Sequence, residues 1–215
     1  ALVFTGHEFA DGGDFIHKTL QAEKIKASFF FTGDFYRNSD FHAIIRKLKD
    51  QGHYLGAHSD KHLLYCDWNK RDSLLITKDQ FRIDLADNFT AMVRYGIDVR
   101  RATYFLPPYE WYNDSIAAWA KDLKLQLVNY TPGTRSHADY TKPDDKNYRS
   151  SEEIYQSVIQ YEQSAWAGLN GFMLLLHIGT DPKRTDKFYD RLPELINYLK
   201  IKGYQFQRVD ELLSR

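Results

Sequence analysis

The chain has 215 residues, of which 43% are hydrophobic and 27% are charged. This composition is typical of a globular protein and argues against a disordered segment. The formal net charge is +0, so the sequence predicts neither a nucleic-acid-binding surface nor a charge-driven partner. No apolar run approaches the roughly 18 residues that a membrane span requires, and the single cysteine, Cys66, leaves no internal disulfide.

The first part of the chain alternates short apolar runs with amphipathic segments. Residues 2–5 predict a first strand, and a helix begins at Gly12-Gly13-Asp14. Residues 27–31 predict a second strand. A second helix begins at Ser39, where apolar residues repeat at helical spacing. Residues 54–57 predict a third strand.

The same alternation continues to the end of the sequence. Thr77 and Gln80 predict a capping box at the start of a helix, and residues 103–106 and 125–130 predict two strands on either side of a helix. The polar stretch at residues 131–149 predicts a long loop of the kind that often carries function. A helix begins at Ser151, residues 172–176 form the most apolar strand, and a helix around residues 192–199 precedes a last short strand at 204–206.

Repeated strand–helix units predict a parallel sheet with helices packed outside it. About seven strands are expected, either closed like a barrel or open as a doubly wound sheet. Since no repeat or linker divides the sequence, we predict one domain over residues 1–215. In both architectures chemistry lies at the carboxyl ends of the strands, and polar clusters follow five of the predicted strands.

One of these clusters holds two histidines, His58 and His62, four residues apart after the third strand. On a helical turn this spacing places both rings on one side, where they can share a cation such as Zn²⁺. A catalytic zinc needs about three protein ligands, and Glu8, after the first strand, would supply a carboxylate. Alone the pair could be a surface feature. The polar groups predicted on the same rim favour a metal site.

Other histidines lie at predicted strand ends or in the long loop. His177 follows the apolar run 172–176 and is suited to act as a general acid, since histidine titrates near working pH. Its alternative role is a structural bond to the backbone. His7 precedes Glu8 and is a candidate base or an additional ligand. His137 lies in the long loop and is a candidate substrate contact.

These motifs resemble the polysaccharide deacetylase family, also called the NodB-homology or carbohydrate esterase family 4. The resemblance runs from Leu2 to about Leu213, with the motifs in the family order. The segment His58-Ser59-Asp60-Lys61-His62 is similar to the family's His-Ser/Thr-x-x-His metal motif. The segment Leu106-Pro107-Pro108-Tyr109 is similar to its Arg-Pro-Pro-Tyr motif, and Leu176-His177 to its Leu-His motif. The resemblance implies an α/β fold, a distorted (β/α) barrel with about seven parallel strands.

The sequence departs from the family pattern at three positions. The family's catalytic Asp base falls on His7, the Arg that would hold it falls on Leu106, and the metal-binding Asp falls on Glu8. The first two changes agree with each other, because a cationic neighbour favours an ionised carboxylate base and would weaken a neutral imidazole base. Asp11 is an alternative carboxylate ligand close to Glu8.

The resemblance implies a metal-dependent deacetylase that hydrolyses N- or O-acetyl groups on a polysaccharide or oligosaccharide. The implied cofactor is a divalent metal, Zn²⁺ first and Co²⁺ or Ni²⁺ as alternatives, bound by Glu8, His58 and His62. His7 would be the base and His177 the acid. Residues after the fourth strand would form an aromatic wall for a sugar ring, or would pack over the barrel end, and a backbone N–H there would meet the oxyanion. The wall would consist of Tyr109, Trp111 and Tyr112, and Pro108 is a further predicted substrate-binding residue.

Three other functions stay open. The chain could hydrolyse a non-peptide C–N bond in a small cyclic amide, or be a metal-retaining carbohydrate-binding domain with impaired catalysis. A glycosidase would require two carboxylates across the rim, such as Glu110 with Asp144 or Asp181. Members of the family act on cell-wall or dietary polysaccharides, which implies export, and an export signal or a further domain is expected ahead of Ala1.

Overall fold

The protein is described here by a computed structural model, and the structure describes residues 1–214. Within these residues the chain forms one sheet from six strands: β1 (Leu2–Gly6), β2 (Ser28–Phe31), β3 (Tyr54–Ala57), β4 (Tyr104–Phe105), β5 (Gln126–Leu127) and β6 (Leu174–His177). All neighbouring strands pair in parallel, in the order β5-β4-β3-β2-β1-β6. The sheet curls into a half-barrel. The segments next to the two edge strands are joined by one hydrogen bond: the backbone N–H of Thr131, after β5, donates to the carbonyl of Met173, before β6, at 3.0 Å.

Helices connect the strands, as the repeated strand–helix pattern predicts. They are α1 (Gly13–Ala22), α2 (Gly33–Arg37), α3 (His42–Asp50), α4 (Lys78–Val93), α5 (Asp114–Asp122), α6 (Ser151–Ser164), α7 (Leu192–Ile201) and α8 (Val209–Leu212). The capping box at the start of α4 is confirmed: Thr77 Oγ1 accepts the N–H of Gln80 at 3.2 Å, and Gln80 Oε1 accepts the N–H of Thr77 at 2.8 Å. None of the helices within residues 1–214 has the length and apolar character needed to cross a bilayer.

Both faces of the sheet are buried, and alternate residues of each strand pack into different clusters. Phe4 and Phe29 pack against the helices on the outer face, whereas Val3 and Phe30 pack inside the curl. The short helix α8 covers this inner face, where the N–H of Val209 donates to Ser28 Oγ at 2.8 Å. Burial on both faces explains why the strands are nearly continuous apolar runs.

The structure has one strand fewer than the sequence predicts, because residues 204–206 do not pair with the sheet. Gly203, with φ of 90°, turns the chain at the end of α7. The hydroxyl of Tyr204 then accepts the N–H of Leu169 at 2.9 Å. This segment is therefore fastened to the loop before β6 by a side chain, and it leads into α8 instead of extending the sheet.

Candidate active site

The carboxyl ends of the strands open on a cavity of about 650 Å³. Side chains that are far apart in the sequence line it together, as the position of the polar clusters predicts. The lining includes His7 and Glu8 after β1, His58 and His62 after β3, Tyr109 and Glu110 after β4, Tyr140 in the loop after β5, and His177 at the end of β6.

His58 and His62 lie side by side, with ring centroids 5.0 Å apart. The expectation that a helical turn brings them together is wrong, since residues 58–62 form a loop. Ser59 and His62 adopt left-handed backbone angles, with φ of 71° and 54°. Ser59 Oγ also accepts the N–H of His62 at 2.8 Å. The loop therefore folds back on itself and returns the second ring to the first.

The orientation of His58 is fixed by the backbone of the next strand. Its Nδ1–H donates to the carbonyl of Leu106 at 2.8 Å, which leaves Nε2 as the ring nitrogen with a free electron pair. Burial lowers the pKa of His58 to about 3 and the pKa of His62 to about 2. Both rings are therefore neutral near pH 7, which is the form that binds a metal.

The histidine pair fits a divalent metal in its chemistry and in the bond that orients His58, because a metal-binding imidazole usually donates its other N–H to a carbonyl or carboxylate. Glu8 lines the same cavity and is exposed. Within residues 1–214, no three His, Cys, Asp or Glu side chains lie close enough to form a complete metal-binding group. The ligand role of Glu8 stays a prediction.

Asp11, the alternative ligand, makes other bonds. Its Oδ1 accepts the N–H of Thr180 at 2.8 Å, and its Oδ2 accepts the hydroxyl of Tyr189 at 2.9 Å and lies 2.9 Å from Lys187 Nζ. Burial opposes ionisation, yet these bonds hold the pKa of Asp11 below its usual value. Asp11 therefore fastens the loop after β1 to the loop after β6, and it lies outside the lining of the cavity.

His177 is held by a carboxylate that the sequence analysis did not single out. Its Nδ1–H donates to Asp139 Oδ1 at 2.6 Å, and its backbone N–H donates to Asp139 Oδ2 at 2.9 Å. Burial opposes protonation of the ring, but the negative charge and hydrogen bond of Asp139 outweigh it and raise the pKa of His177. With Nδ1 bonded to Asp139, Nε2 is the nitrogen left for a substrate.

His7 lies at the predicted place and is engaged on two sides. Its Nδ1 is 3.0 Å from Thr32 Oγ1, and its ring stacks on His62 with centroids 4.9 Å apart. Leu106, at the position of the family's Arg, is buried in the inner cluster. No cationic side chain therefore stands at position 106 to hold a carboxylate at position 7, in agreement with the paired change seen in the sequence.

The predicted aromatic wall is only partly at the cavity. Tyr109 lines it, and Pro108 is buried beneath. Trp111 and Tyr112 lie outside the lining, where the guanidinium of Arg71 covers both rings at 4.3 and 5.5 Å from their centroids. Trp68, which no sequence pattern indicates, also lines the cavity, and its ring centroid lies 5.5 Å from that of Tyr109.

Of the other polar residues considered in the sequence, Glu110 and Asp181 line the cavity and Asp144 does not. His137 stacks on Tyr130 at 4.6 Å and faces a neighbouring cleft. Asp139 could have been suspected from its place in the long polar loop, which was predicted to be functional. No sequence pattern indicates that this carboxylate, among several in the loop, meets His177.

The chain was compared with known families and proteins. It matches the family profile described as polysaccharide deacetylase over residues 12–128. Uncharacterized protein YlxY of Bacillus subtilis (strain 168) is 26% identical over 206 residues, which cover 94% of this chain and 54% of that protein. The chain spans less than two thirds of the length of the curated relatives it matches.

Two solved structures show the same fold. A family 4 acetyl xylan esterase from Clostridium thermocellum, in complex with a cobalt ion, has a TM-score of 0.75 at 22% identity, covering 100% of this chain and 89% of that chain. BA3943, a CE4 family pseudoenzyme from Bacillus anthracis, has a TM-score of 0.74 at 18% identity, covering 99% of this chain and 64% of that chain. The likeness therefore extends both to an enzyme and to a pseudoenzyme.

Proposed function

Because the chain belongs to the polysaccharide deacetylase family, we propose that it is a metal-dependent hydrolase that removes N- or O-acetyl groups from a polysaccharide or oligosaccharide. One observation carries the proposal: His177, whose ring is held by Asp139, lines the same cavity as His58 and His62. A positioned proton donor then faces a pair of neutral imidazoles with metal-binding chemistry. Hydrolysis of an acetyl group needs both a proton donor for the leaving group and a metal that activates the carbonyl and the water.

His58, His62 and Glu8 are the residues proposed to hold the metal. Zn²⁺ is the first choice for two neutral histidines and a carboxylate, with Co²⁺ or Ni²⁺ as alternatives. A metal at this place would polarise the acetyl carbonyl and lower the pKa of a bound water. The cobalt ion in the structure of the Clostridium thermocellum esterase supports a metal in a protein of this fold.

His177 is proposed to protonate the leaving nitrogen or oxygen of the sugar from Nε2. Asp139 favours the protonated form of this acid, since its negative charge and hydrogen bond raise the pKa of His177. The backbone N–H of Tyr109 is proposed to donate to the oxyanion, a role that is often worth a factor of about 100 or more in rate. Tyr109 and Trp68 offer ring faces against which a sugar can pack.

The sequence predicts His7 as the base. Its place in the cavity and its contact with Thr32 support an ordered ring. Its face-to-face packing on His62 equally supports a role in positioning that neighbour. Replacement of His7 should lower kcat if the ring is the base, and should weaken metal binding if the ring positions His62.

Three other functions are distinguished by their products. A hydrolase of cyclic amides would open a small ring and leave acetylated sugars intact. A binding domain with impaired catalysis, as the likeness to the Bacillus anthracis pseudoenzyme suggests, would bind the metal and release no acetate. A glycosidase using Glu110 and Asp181 would cleave between sugars and would not depend on a metal.

The proposal is tested by acetate release from acetylated chito-oligosaccharides and acetylated xylan, with added Zn²⁺ or Co²⁺ and again with a chelator. We expect release by the wild type that falls to background with the chelator and in His177→Ala. His42→Ala, at an exposed histidine on α3, is the matched control and should keep the wild-type rate. Equal background release by the wild type and His177→Ala on every substrate would contradict the proposal.

A further inference from the structure

Glu110 is a cavity carboxylate that has no role in the reaction proposed above. It lies among the cavity-lining residues, and its carboxyl oxygens accept no hydrogen bond from the residues that the structure describes. The Glu110 side chain is half-buried, and burial without a hydrogen-bond partner disfavours its charged form. Its surroundings therefore call for a functional explanation.

The backbone at Glu110 is held in an unusual conformation. Tyr109 and Glu110 both adopt left-handed backbone angles, with φ of 58° and 55°. Residues other than glycine rarely adopt such angles. The carbonyl of Glu110 accepts a hydrogen bond from Asn129 Nδ2 at 2.8 Å, and its N–H donates to the carbonyl of Pro107 at 3.0 Å. This strained turn is clamped on both sides, and it sets Glu110 in the lining of the cavity. Strain kept in this way is a feature of functional sites.

The neighbours of the Glu110 carboxyl come from two other elements. His177 faces it from β6, and Asp139, Tyr130 and Tyr140 face it from the loop after β5. Burial raises the pKa of Glu110 to about 7, with His177 lowering it and Asp139 raising it in smaller measure. Glu110 thus exchanges a proton near neutral pH, while the pKa of His177 is raised above its ordinary value. When two titratable groups of one site lie in different environments, one can act as the base and the other as the acid, here Glu110 and His177.

His7 is less suited to receive the proton. Its Nδ1 is already within hydrogen-bond distance of Thr32 Oγ1, so only Nε2 is left to accept a proton. Glu110 has both carboxyl oxygens free for a water molecule, since no described side chain donates to them. We therefore favour the carboxylate, which has two free acceptor atoms, over the ring, which has one.

We propose that Glu110 is the general base of the reaction, and this inference rests on the proposed function. The oxygen of a water molecule bonds to the acetyl carbon while one proton of that water moves to the Glu110 carboxylate. The bond from the carbonyl carbon to the sugar nitrogen or oxygen then breaks, and His177 gives its Nε2 proton to that atom. Acetate and the free amine or hydroxyl leave. Glu110 returns its proton through solvent to His177, so that both groups regain their starting state.

The first test is kinetic. In Glu110→Gln we expect kcat to fall by about 100- to 10,000-fold, the contribution of a positioned base, with KM within a few-fold of the wild type. The acidic limb of the wild-type kcat/KM profile, centred near pH 7, should be absent from the residual activity. Glu110→Asp keeps a carboxyl group and should retain part of the rate. Glu194→Gln, at an exposed residue of α7, makes the same chemical change away from the cavity and should be unaffected.

The second test measures the group itself, without activity. In protein labelled with ¹³C at the glutamate carboxyl, one resonance should titrate near pH 7 and should vanish in Glu110→Gln. This spectrum also shows whether the variant is folded.

The outcomes separate the two proposals. If the wild type releases acetate and Glu110→Gln keeps the rate and pH profile within twofold, the assignment of Glu110 is overturned and the proposed function stands. A carboxyl resonance that titrates near pH 4 overturns the assignment too. If the wild type releases no acetate from any substrate, the proposed function fails and the base assignment with it.

Discussion

The two ends of β3 each hold a buried histidine, and the two are used differently. At the amino end, both ring nitrogens of His53 have partners: Nδ1 accepts the N–H of Ala27 at 3.1 Å, and Nε2 lies 2.9 Å from Gln51 Oε1. At the carboxyl end, Nδ1 of His58 donates to the carbonyl of Leu106, and Nε2 has no protein partner among residues 1–214. Burial lowers the pKa of both, to about 4 and about 3. Burial and a lowered pKa are therefore common to both histidines, and only His58 keeps a ring nitrogen free beside the cavity, as a metal ligand must.

The largest effect on the reaction is expected from Asp139, which holds the proposed acid His177 at the carboxyl ends of the strands. His177 donates a proton only while it is protonated, and Asp139 raises its pKa. In Asp139→Asn we expect kcat to fall by about 1000-fold and the alkaline limb of the pH profile to move to lower pH. The control is Asp98→Asn, at an exposed residue near the amino end of β3, which should leave the profile unchanged. A wild-type alkaline limb in Asp139→Asn would contradict the role of the pair.

Metal affinity should distinguish the histidine at the carboxyl end of β3 from the histidine at its amino end. His58→Ala should weaken Zn²⁺ or Co²⁺ binding by more than about 100-fold, because loss of a partner behind a ligand alone costs about 10- to 100-fold. His53→Ala removes the same side chain from the other end of the strand and should leave the affinity unchanged. Isothermal titration calorimetry measures both. Equal affinities in the two variants would mean that the two ends do not differ in this way.

Stability should depend on His53 in a direction set by its pKa. The folded pKa of about 4 lies below the unfolded value, so the stabilisation is present above about pH 6.5 and is lost as the pH falls towards 4. Between pH 7 and pH 5 this amounts to about 2 kcal/mol of unfolding free energy. Urea unfolding of the wild type should show that loss, and His53→Gln should show a smaller one. An identical loss in both proteins would exclude His53 as its source.

The smallest effect is expected at the aromatic rim of the carboxyl end. Trp68 and Tyr109 pack edge to face there, and stacking of a sugar against such rings contributes about 1 kcal/mol. Trp68→Ala should therefore raise KM by about fivefold and leave kcat unchanged. Trp166→Ala, at a fully exposed tryptophan, provides the matched control. An unchanged KM would contradict a contact between Trp68 and the bound sugar in the ground state.

Much of the fold follows from local patterns. The third strand, residues 54–57, and the helix starts at Thr77 and Ser151 agree with the structure, because apolar runs and capping boxes are determined by neighbouring residues. The count of seven strands fails at residues 204–206. There the aromatic pattern favours a strand, but the hydrogen bond that the Tyr204 hydroxyl accepts from the N–H of Leu169 holds the segment away from the sheet.

The candidate site was predictable where it follows a strand and unpredictable where it depends on a loop. His177 ends an apolar run and was expected on the rim. Asp139 reaches it from a long loop whose path no periodicity describes. Glu110 enters the cavity because two consecutive residues adopt left-handed angles without glycine, which sequence rules treat as rare. The convergence of His58 and His62 was expected, but for a wrong reason.

The most direct test of the account follows one reaction of an acetylated chito-oligosaccharide in ¹⁸O-labelled water with Zn²⁺ or Co²⁺, using mass spectrometry. We predict that the wild type gives an oligosaccharide of unchanged length that has lost an acetyl group, together with acetate that carries one solvent oxygen. Asp139→Asn should give neither product above background. Shortened oligosaccharides with their acetyl groups intact, or no change in the wild-type reaction, would contradict the assignment of this cavity as a deacetylase site.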